Sequence, residues 1–249
     1  LNRKVYLLGF ISFFGSSLFA QPGDNLANQI PKVEKYDESI VDPTYGIRIY
    51  EPLNYQLAGD SVRYCAGYAC QSWVEDHYAS GQLLHKGYYI DGQVKVYKNY
   101  YPNGKLEREF KNIDTFKTLA KLYYSNGNQK SEVKYQEGEP VSWTDFFDNG
   151  QVEYSEEYHK SFTYHNYKRS YFKDGKPESL FEIENKKKME FSKKEYYANG
   201  NLKIDGFLKF DDSTYDYFKD GKWSYYDESG KLTKEEFYDK GGKQKEKTY

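Results

Sequence analysis

The residues able to do chemistry are few and scattered. The chain of 249 residues has four histidines, His77, His85, His159 and His165, and two cysteines, Cys65 and Cys70. The histidines form neither an H-x3-H nor an HExxH arrangement, so no zinc-binding helix is encoded. His77 stands where an aromatic residue recurs elsewhere, which predicts a partly buried ring in that row. Cys65-Ala-Gly-Tyr-Ala-Cys70 has no second Cys or His pair at ligand spacing, and nothing near it marks a base for a nucleophilic thiol. In an oxidising compartment the same pair is a candidate disulfide, closing a small loop worth about 2 kcal/mol. Adjacent carboxylates, Asp211-Asp212 and Glu156-Glu157, invite an acid/base reading. Neighbours on a strand face opposite ways, however, and such pairs rarely converge on one substrate atom. Solvated charges that discourage sheet-to-sheet association explain them better. With no GxSxG elbow and no P-loop, the expectation is a chain without catalytic residues, metal or cofactor.

The composition narrows the partners. Lys and Arg number 36 against 38 Asp and Glu, interleaved along the chain, which leaves no electrostatic footprint for nucleic acid. Lys186-Lys-Lys188 is an isolated basic run and reads as a solvated loop. Aromatic residues make up 19% of the chain, with 29 Tyr and 16 Phe. Disordered chains carry few aromatics and high net charge, so a fold is expected.

The N-terminus reads as a secretory signal peptide over residues 1–20. Arg3 and Lys4 precede an apolar run, Val5 to Phe14, and small residues lead to Ala20. The run is shorter than the roughly 20 residues needed to span a bilayer. The expected product is exported, periplasmic or secreted, with no transmembrane span after cleavage. Residues 21–60 are polar and hold four of the seven prolines, which predicts a linker that becomes ordered near Tyr45–Tyr50.

The elements that must carry any function come from a repeat within residues 61–249. About seven copies share an aromatic pair, a short turn ending in glycine, and a following Lys, Gln or Asn. Their pairs are His77-Tyr78, Tyr100-Tyr101, Tyr123-Tyr124, Phe146-Phe147, Tyr171-Phe172, Tyr196-Tyr197 and, with one residue more before the glycine, Tyr225-Tyr226. The turn glycines are Gly81, Gly104, Gly127, Gly150, Gly175, Gly200 and Gly230, so the steps are 23, 23, 23, 25, 25 and 30 residues. An x-Asn/Asp-Gly turn between alternating segments is a hairpin signal, because Asn and Gly tolerate positive φ. Pro102 cannot, so its copy favours a type I turn closed by a glycine bulge. Gln151–Tyr158 alternates with period two and puts Val152, Tyr154 and Tyr158 on one face. Adjacent aromatics should show a ring on each face, and either row is a candidate binding surface. A second glycine family, at Asp91-Gly92, Glu137-Gly138 and Asp220-Gly221, reads as the turns between hairpins. The fold expected is all-β: an elongated single-layer antiparallel meander of stacked β-hairpins.

Gly221-Lys-Trp-Ser-Tyr-Tyr-Asp-Glu-Ser-Gly-Lys-Leu232 and Gly138-Glu-Pro-Val-Ser-Trp-Thr-Asp-Phe-Phe-Asp-Asn-Gly-Gln-Val152 resemble MORN repeats. They resemble more closely the bacterial variant in YwqK-type antitoxin components, over about Trp73 to Phe237. The resemblance implies a curved sheet of hairpins without known catalytic residues. A protein-interaction scaffold is the function expected, since repeat arrays offer extended surfaces and tyrosine binds at low entropy cost. The alternative is an envelope module that holds a glycan or lipid headgroup on its aromatic rows.

Overall fold

A computed structural model describes residues 50–249, apart from Ala58 and Thr115. The expected signal peptide and residues 21–49 of the linker lie outside the described residues. A two-stranded piece, β1 (Tyr64–Cys65) and β2 (Tyr68–Ala69), precedes fifteen strands from β3 (Ser72–His77) to β17 (Gly242–Thr248). These fifteen form one antiparallel sheet in strict chain order. That is the meander expected from the repeat.

All seven repeat turns close in the same way. The Tyr101 N–H donates to the Lys105 carbonyl and the Gly104 N–H to the Tyr101 carbonyl, both at 2.8 Å, and the other six copies repeat both bonds. The turn glycines have φ between +79° and +98°, whereas the Asn or Asp before them does not enter the left-handed region. The type I turn with a glycine bulge expected at Pro102 is therefore the rule for every copy, and the asparagine is not there for positive φ. After each turn the register slips by one residue: Tyr100 pairs with Leu106, but Asn99 pairs with Arg108. The same slip places Val152 opposite Phe146 and Tyr154 opposite Asp145, so Val152 and Tyr154 face opposite ways, contrary to the simple alternation.

Two-residue turns at Asp91-Gly92 and Glu137-Gly138, with both residues at positive φ, do link hairpins. Asp220-Gly221 does not. It lies inside β15 (Asp216–Tyr226), and the chain instead turns between Asp211 and Asp216 after β14 (Leu202–Asp211). The three residues Gly221 to Trp223 bulge opposite the single residue Gly206, because Asp205 pairs with Ser224 and Phe207 with Asp220. The last copy is also displaced. Asp227 makes the turn bonds that Tyr101 makes, so Tyr226-Asp227 occupies the place of an aromatic pair and Tyr225 moves back into the strand. Its turn is as long as the others.

The core lies along one face of the sheet. Its N-terminal part is covered by residues 50–57, at the end of the stretch read as linker, where Tyr50, Leu53 and Asn54 are almost fully buried. Tyr89, Val94, Tyr97, Phe110 and Val133 pack beneath them. Toward the C-terminus a smaller cluster of Phe181, Phe191 and Phe210 is covered by Tyr164 and Tyr217 from the sheet's own connections and strands. A disulfide joins Cys65 and Cys70 across the β1–β2 turn.

Candidate binding face

The first aromatic of each pair ends a strand, and the second begins the turn instead of continuing the strand. Tyr100, Tyr123, Phe146, Tyr171 and Tyr196 are half-buried and sit across from Leu106, Gln129, Val152, Pro177 and Leu202. His77 holds the same place opposite Leu83, but it is exposed, because β3 is a border strand with no neighbour beyond it. The second ring reaches along the turn border. Tyr78, Tyr101, Tyr124 and Tyr197 donate their hydroxyls to the carbonyls of Tyr100, Tyr123, Phe146 and Tyr226 at 2.7–2.9 Å. Phe147 and Phe172 have no hydroxyl to give. Turn asparagines add a parallel strap: Asn103, Asn126, Asn149 and Asn199 each donate to a carbonyl of the next turn at 2.8–3.2 Å. Each also accepts from the backbone N–H two residues on. The recurring residue pattern of the turns is thus explained by side-chain bonding between hairpins as much as by backbone conformation.

Three carboxylate-centred clusters lie on the core face. In the first, Asp76 accepts from Arg63 at 2.5 and 2.8 Å and from the Tyr50 hydroxyl at 2.6 Å. His85 stacks on Tyr50 with ring centroids 3.6 Å apart, and its nitrogens meet Asn99 and the Tyr89 hydroxyl. Burial pushes the Asp76 carboxyl up, but Arg63 and Tyr50 outweigh it and hold the group below its usual range. Burial lowers His85 to about 4, against the opposing pull of Asn99 and Asp76. The imidazole is therefore neutral at physiological pH.

The second cluster centres on Glu156 in β10 (Val152–Tyr158). It accepts from Tyr154 at 2.6 Å and lies 3.4 Å from His165 and 4.0 Å from Lys168. Burial raises this carboxyl, and the nearby His165 ring and the bond from Tyr154 bring it below its ordinary value. Glu156 is thus no solvated sheet charge, whereas its neighbour Glu157 faces the other way and accepts from Asn166.

The third is at the C-terminal end. Glu236 in β16 (Leu232–Asp239) is buried and accepts from Tyr225 at 2.5 Å, Tyr238 at 2.9 Å and Lys234 at 3.0 Å. Burial opposes these bonds, and together they still hold the carboxyl at about 2. The Lys219 ammonium lies 4.2 Å from the Trp223 ring centroid, 4.9 Å from that of Tyr238 and 5.6 Å from that of Tyr225. These distances are within the range of cation–π attraction. The bulge in β15 puts the Trp223 ring flat on Gly206, where any Cβ would meet it at 2.3 Å, and the indole N–H donates to the Phe207 carbonyl at 2.9 Å.

On the opposite face, Lys and Glu pair across strands, as in Lys86–Glu75, Lys121–Glu132 and Lys222–Glu235. A shallow concavity of about 270 Å³ there is lined by Trp73, Lys86, Val96, Lys98 and Tyr100. Trp73 is 55% exposed and meets Tyr88 edge-on. Lys186, Lys187 and Lys188 are exposed in a turn, as expected. Among the described residues no three His, Cys, Asp or Glu side chains gather as a metal-ligand set, and no helix is long and apolar enough to cross a membrane.

Sequence patterning found the hairpins and turn aromatics but missed all three clusters as clusters. The one available signal was Gly221-Lys-Trp-Ser-Tyr-Tyr226, whose leading glycine and Trp-x-Tyr spacing encode a bulge and two rings on one face.

Residues 93–111, 192–209 and 219–240 match the MORN repeat variant, each stretch covering one hairpin. No curated protein matches the sequence. Among solved structures, a mutant of TarM of S. aureus is 8% identical over 45% of this chain and 20% of its own, with a TM-score of 0.27. A second TarM structure is 10% identical over 44% of this chain and 19% of its own, at 0.26. A Bacteroides fragilis protein of unknown function is 8% identical over 72% of this chain and 93% of its own, at 0.14. The chain spans about a fifth of the length of TarM. Likenesses at these scores carry no functional argument.

Proposed function

From the premise that this is a chain of MORN-type repeats, we propose that it is an exported, non-catalytic protein-interaction scaffold. The observation that carries the reading is the built surface on the C-terminal half of the core face. There tyrosine and tryptophan rings are locked by hydrogen bonds: Tyr225 and Tyr238 are half-buried, and Trp223 is 5% exposed with the Lys219 side chain over it. Rigid aromatic groups lose little entropy on binding, which suits them to recognise another protein. The resemblance to YwqK-type antitoxin components supports a protein as the partner, and the signal peptide read in the sequence supports an encounter in the periplasm or outside the cell. Crosslinking in the native envelope should recover one or a few specific proteins. Recovery of none would overturn the scaffold reading.

A second reading has its own support on the opposite face. The exposed Trp73 ring, with Tyr100, Lys86 and Lys98 around one concavity, suits an envelope glycan, whose sugars stack on rings and whose polar rims meet ammonium groups. Saturable binding of envelope oligosaccharides that Trp73→Ala abolishes would favour it; binding unchanged by that substitution would remove it. A headgroup on the same rings would register as binding to lipid vesicles.

A further inference from the structure

We propose that the cage of Trp223, Tyr225, Tyr238 and Glu236 is a binding site for a lysine side chain of a partner protein, with Lys219 as its resident occupant when no partner is bound. This deepens the scaffold reading and rests on it for the partner being a protein.

The walls of the cage stand without Lys219. Trp223 is fixed by its bond to the Phe207 carbonyl and by its seat on Gly206. Tyr225 and Tyr238 are both clamped by the Glu236 carboxylate. None of these contacts involves the lysine, so the site is organised in advance for whatever ammonium enters it.

The chemistry of the cage selects the occupant. The Trp223 and Tyr238 rings attract the cation, while Tyr225 meets it through its hydroxyl and carries Lys234 over its own ring at 4.3 Å. Tyr225 gives its only hydroxyl hydrogen to Glu236, so its oxygen can only accept, and it accepts from Lys219 at 2.9 Å. The Tyr238 oxygen stands in the same condition at 3.4 Å. Rings plus phenol acceptors suit an alkylammonium that still carries N–H bonds. A quaternary ammonium can use the rings but not the acceptors. The Glu236 carboxylate, 3.8 Å from the ammonium, supplies field without a direct bond to it.

Lys219 can leave. Its side chain is 35% exposed and belongs to the same strand as Trp223 and Tyr225, so its flexible stem can swing into water while the sheet stays in place. Departure leaves Lys234 and Lys243 against Glu236 and Glu246, a balanced set to which an incoming ammonium restores the charge Lys219 had supplied. The Asp76 cluster shows the other arrangement within the same molecule: there the cation, Arg63, comes from a separate covering segment and is sealed in.

The test uses n-butylammonium, the lysine side-chain analogue, titrated into the purified chain while the Trp223 indole N–H resonance is followed. Lys219→Ala should bind it saturably, and the wild type about tenfold or more weakly, because its own lysine must first be displaced. In the Lys219→Ala background, Tyr225→Phe should weaken n-butylammonium and leave tetramethylammonium unchanged. No saturable binding to a folded Lys219→Ala chain, or equal affinity in wild type and variant, overturns the proposal. If both Lys219→Ala and Lys219→Gln unfold, Lys219 is a structural strut and the proposal is wrong. Because the probe is small and the protein pure, failure here leaves the crosslinking test of the scaffold reading intact.

Discussion

The two ends of the core face use the same materials in opposite ways. At the N-terminal end a carboxylate, two tyrosines, a histidine and an arginine are closed in by residues 50–57 and 59–63, and Arg63, Asp76 and His85 are nearly or wholly inaccessible to solvent. At the C-terminal end a carboxylate, two tyrosines, a tryptophan and two lysines, Lys219 and Lys234, assemble on strands β15 and β16, and both lysines reach water. A buried carboxylate needs a compensating cation and hydrogen bonds wherever it sits. What differs is where the cation comes from. When it arrives on a covering segment the cation is sealed in with the carboxylate, and when it comes from the sheet itself the carboxylate is buried but the cation stays open to water.

The largest effect that separates the two ends should come from their cations. Arg63→Met leaves Asp76 buried without its partner, and a loss of about 3–5 kcal/mol is expected from denaturant unfolding. Lys219→Ala removes a half-exposed cation from a carboxylate that keeps three other donors, and should cost less than about 1 kcal/mol. Equal losses would erase the distinction. Next in size, Gly206→Ala should cost about 1–3 kcal/mol and move the Trp223 indole N–H resonance, since the new methyl group enters the space of the ring. A thermal midpoint and indole spectrum unchanged from the parent would show that the seat is not needed.

Acidification should split the ends by where each loses stability. His85 is lowered from 6.5 to about 4, so the unfolded chain takes up its proton first and the N-terminal end weakens as the pH falls from 6.5 toward 4. Asp76, also lowered, adds a loss below the ordinary carboxylate range, while Arg63 stays charged throughout. The C-terminal cluster has no histidine. Glu236 is lowered from 4.5 to about 2, so its contribution is complete above 4.5 and lost as the pH falls toward 2. Hydrogen exchange at pH 5 should therefore show N-terminal strands losing protection relative to pH 7 while β15 and β16 keep theirs. The smallest effect belongs to the strap: Tyr124→Phe should cost about 0.5–1.5 kcal/mol and raise exchange near Phe146 and Phe147.

The sequence disclosed the parts of this design that are local. Glycines at 23- to 30-residue steps marked the turns, because a left-handed residue at a fixed place in each turn is a strong constraint on residue type. The aromatic pairs marked the strand ends. It hid the parts that depend on distant pairing. Residues 50–57 looked like linker because Pro52, Asn54 and Gln56 dilute the apolar signal, yet Tyr50, Leu53 and Asn54 are buried by contact with strands far along the chain. Asp220-Gly221 has the composition of a turn, and only the register with β14 reveals a bulge. The displaced last copy shows the same limit: Tyr225-Tyr226 imitates the other pairs in type, while the hydrogen bonds assign the turn position to Asp227. Of the clusters, each carboxylate and ring was visible singly, but the slip after every turn decides which of them share a face.

The strap along the turn border also has a mechanical meaning. Hydroxyl and amide donors tie successive hairpins from Tyr78 to Phe146, and again from Tyr197 to Tyr226. Between them Phe147 and Phe172 cannot donate, Asn149 ties one turn to the next through Lys173, and Asp174 has no amide to give. The border is therefore stitched at both ends and loosest at the step from the Gly175 turn to the Gly200 turn. Across that step the backbone ladder and the Phe181–Phe191 stack hold the strands together, so resistance to bending there rests on the sheet and its core and not on the turn border.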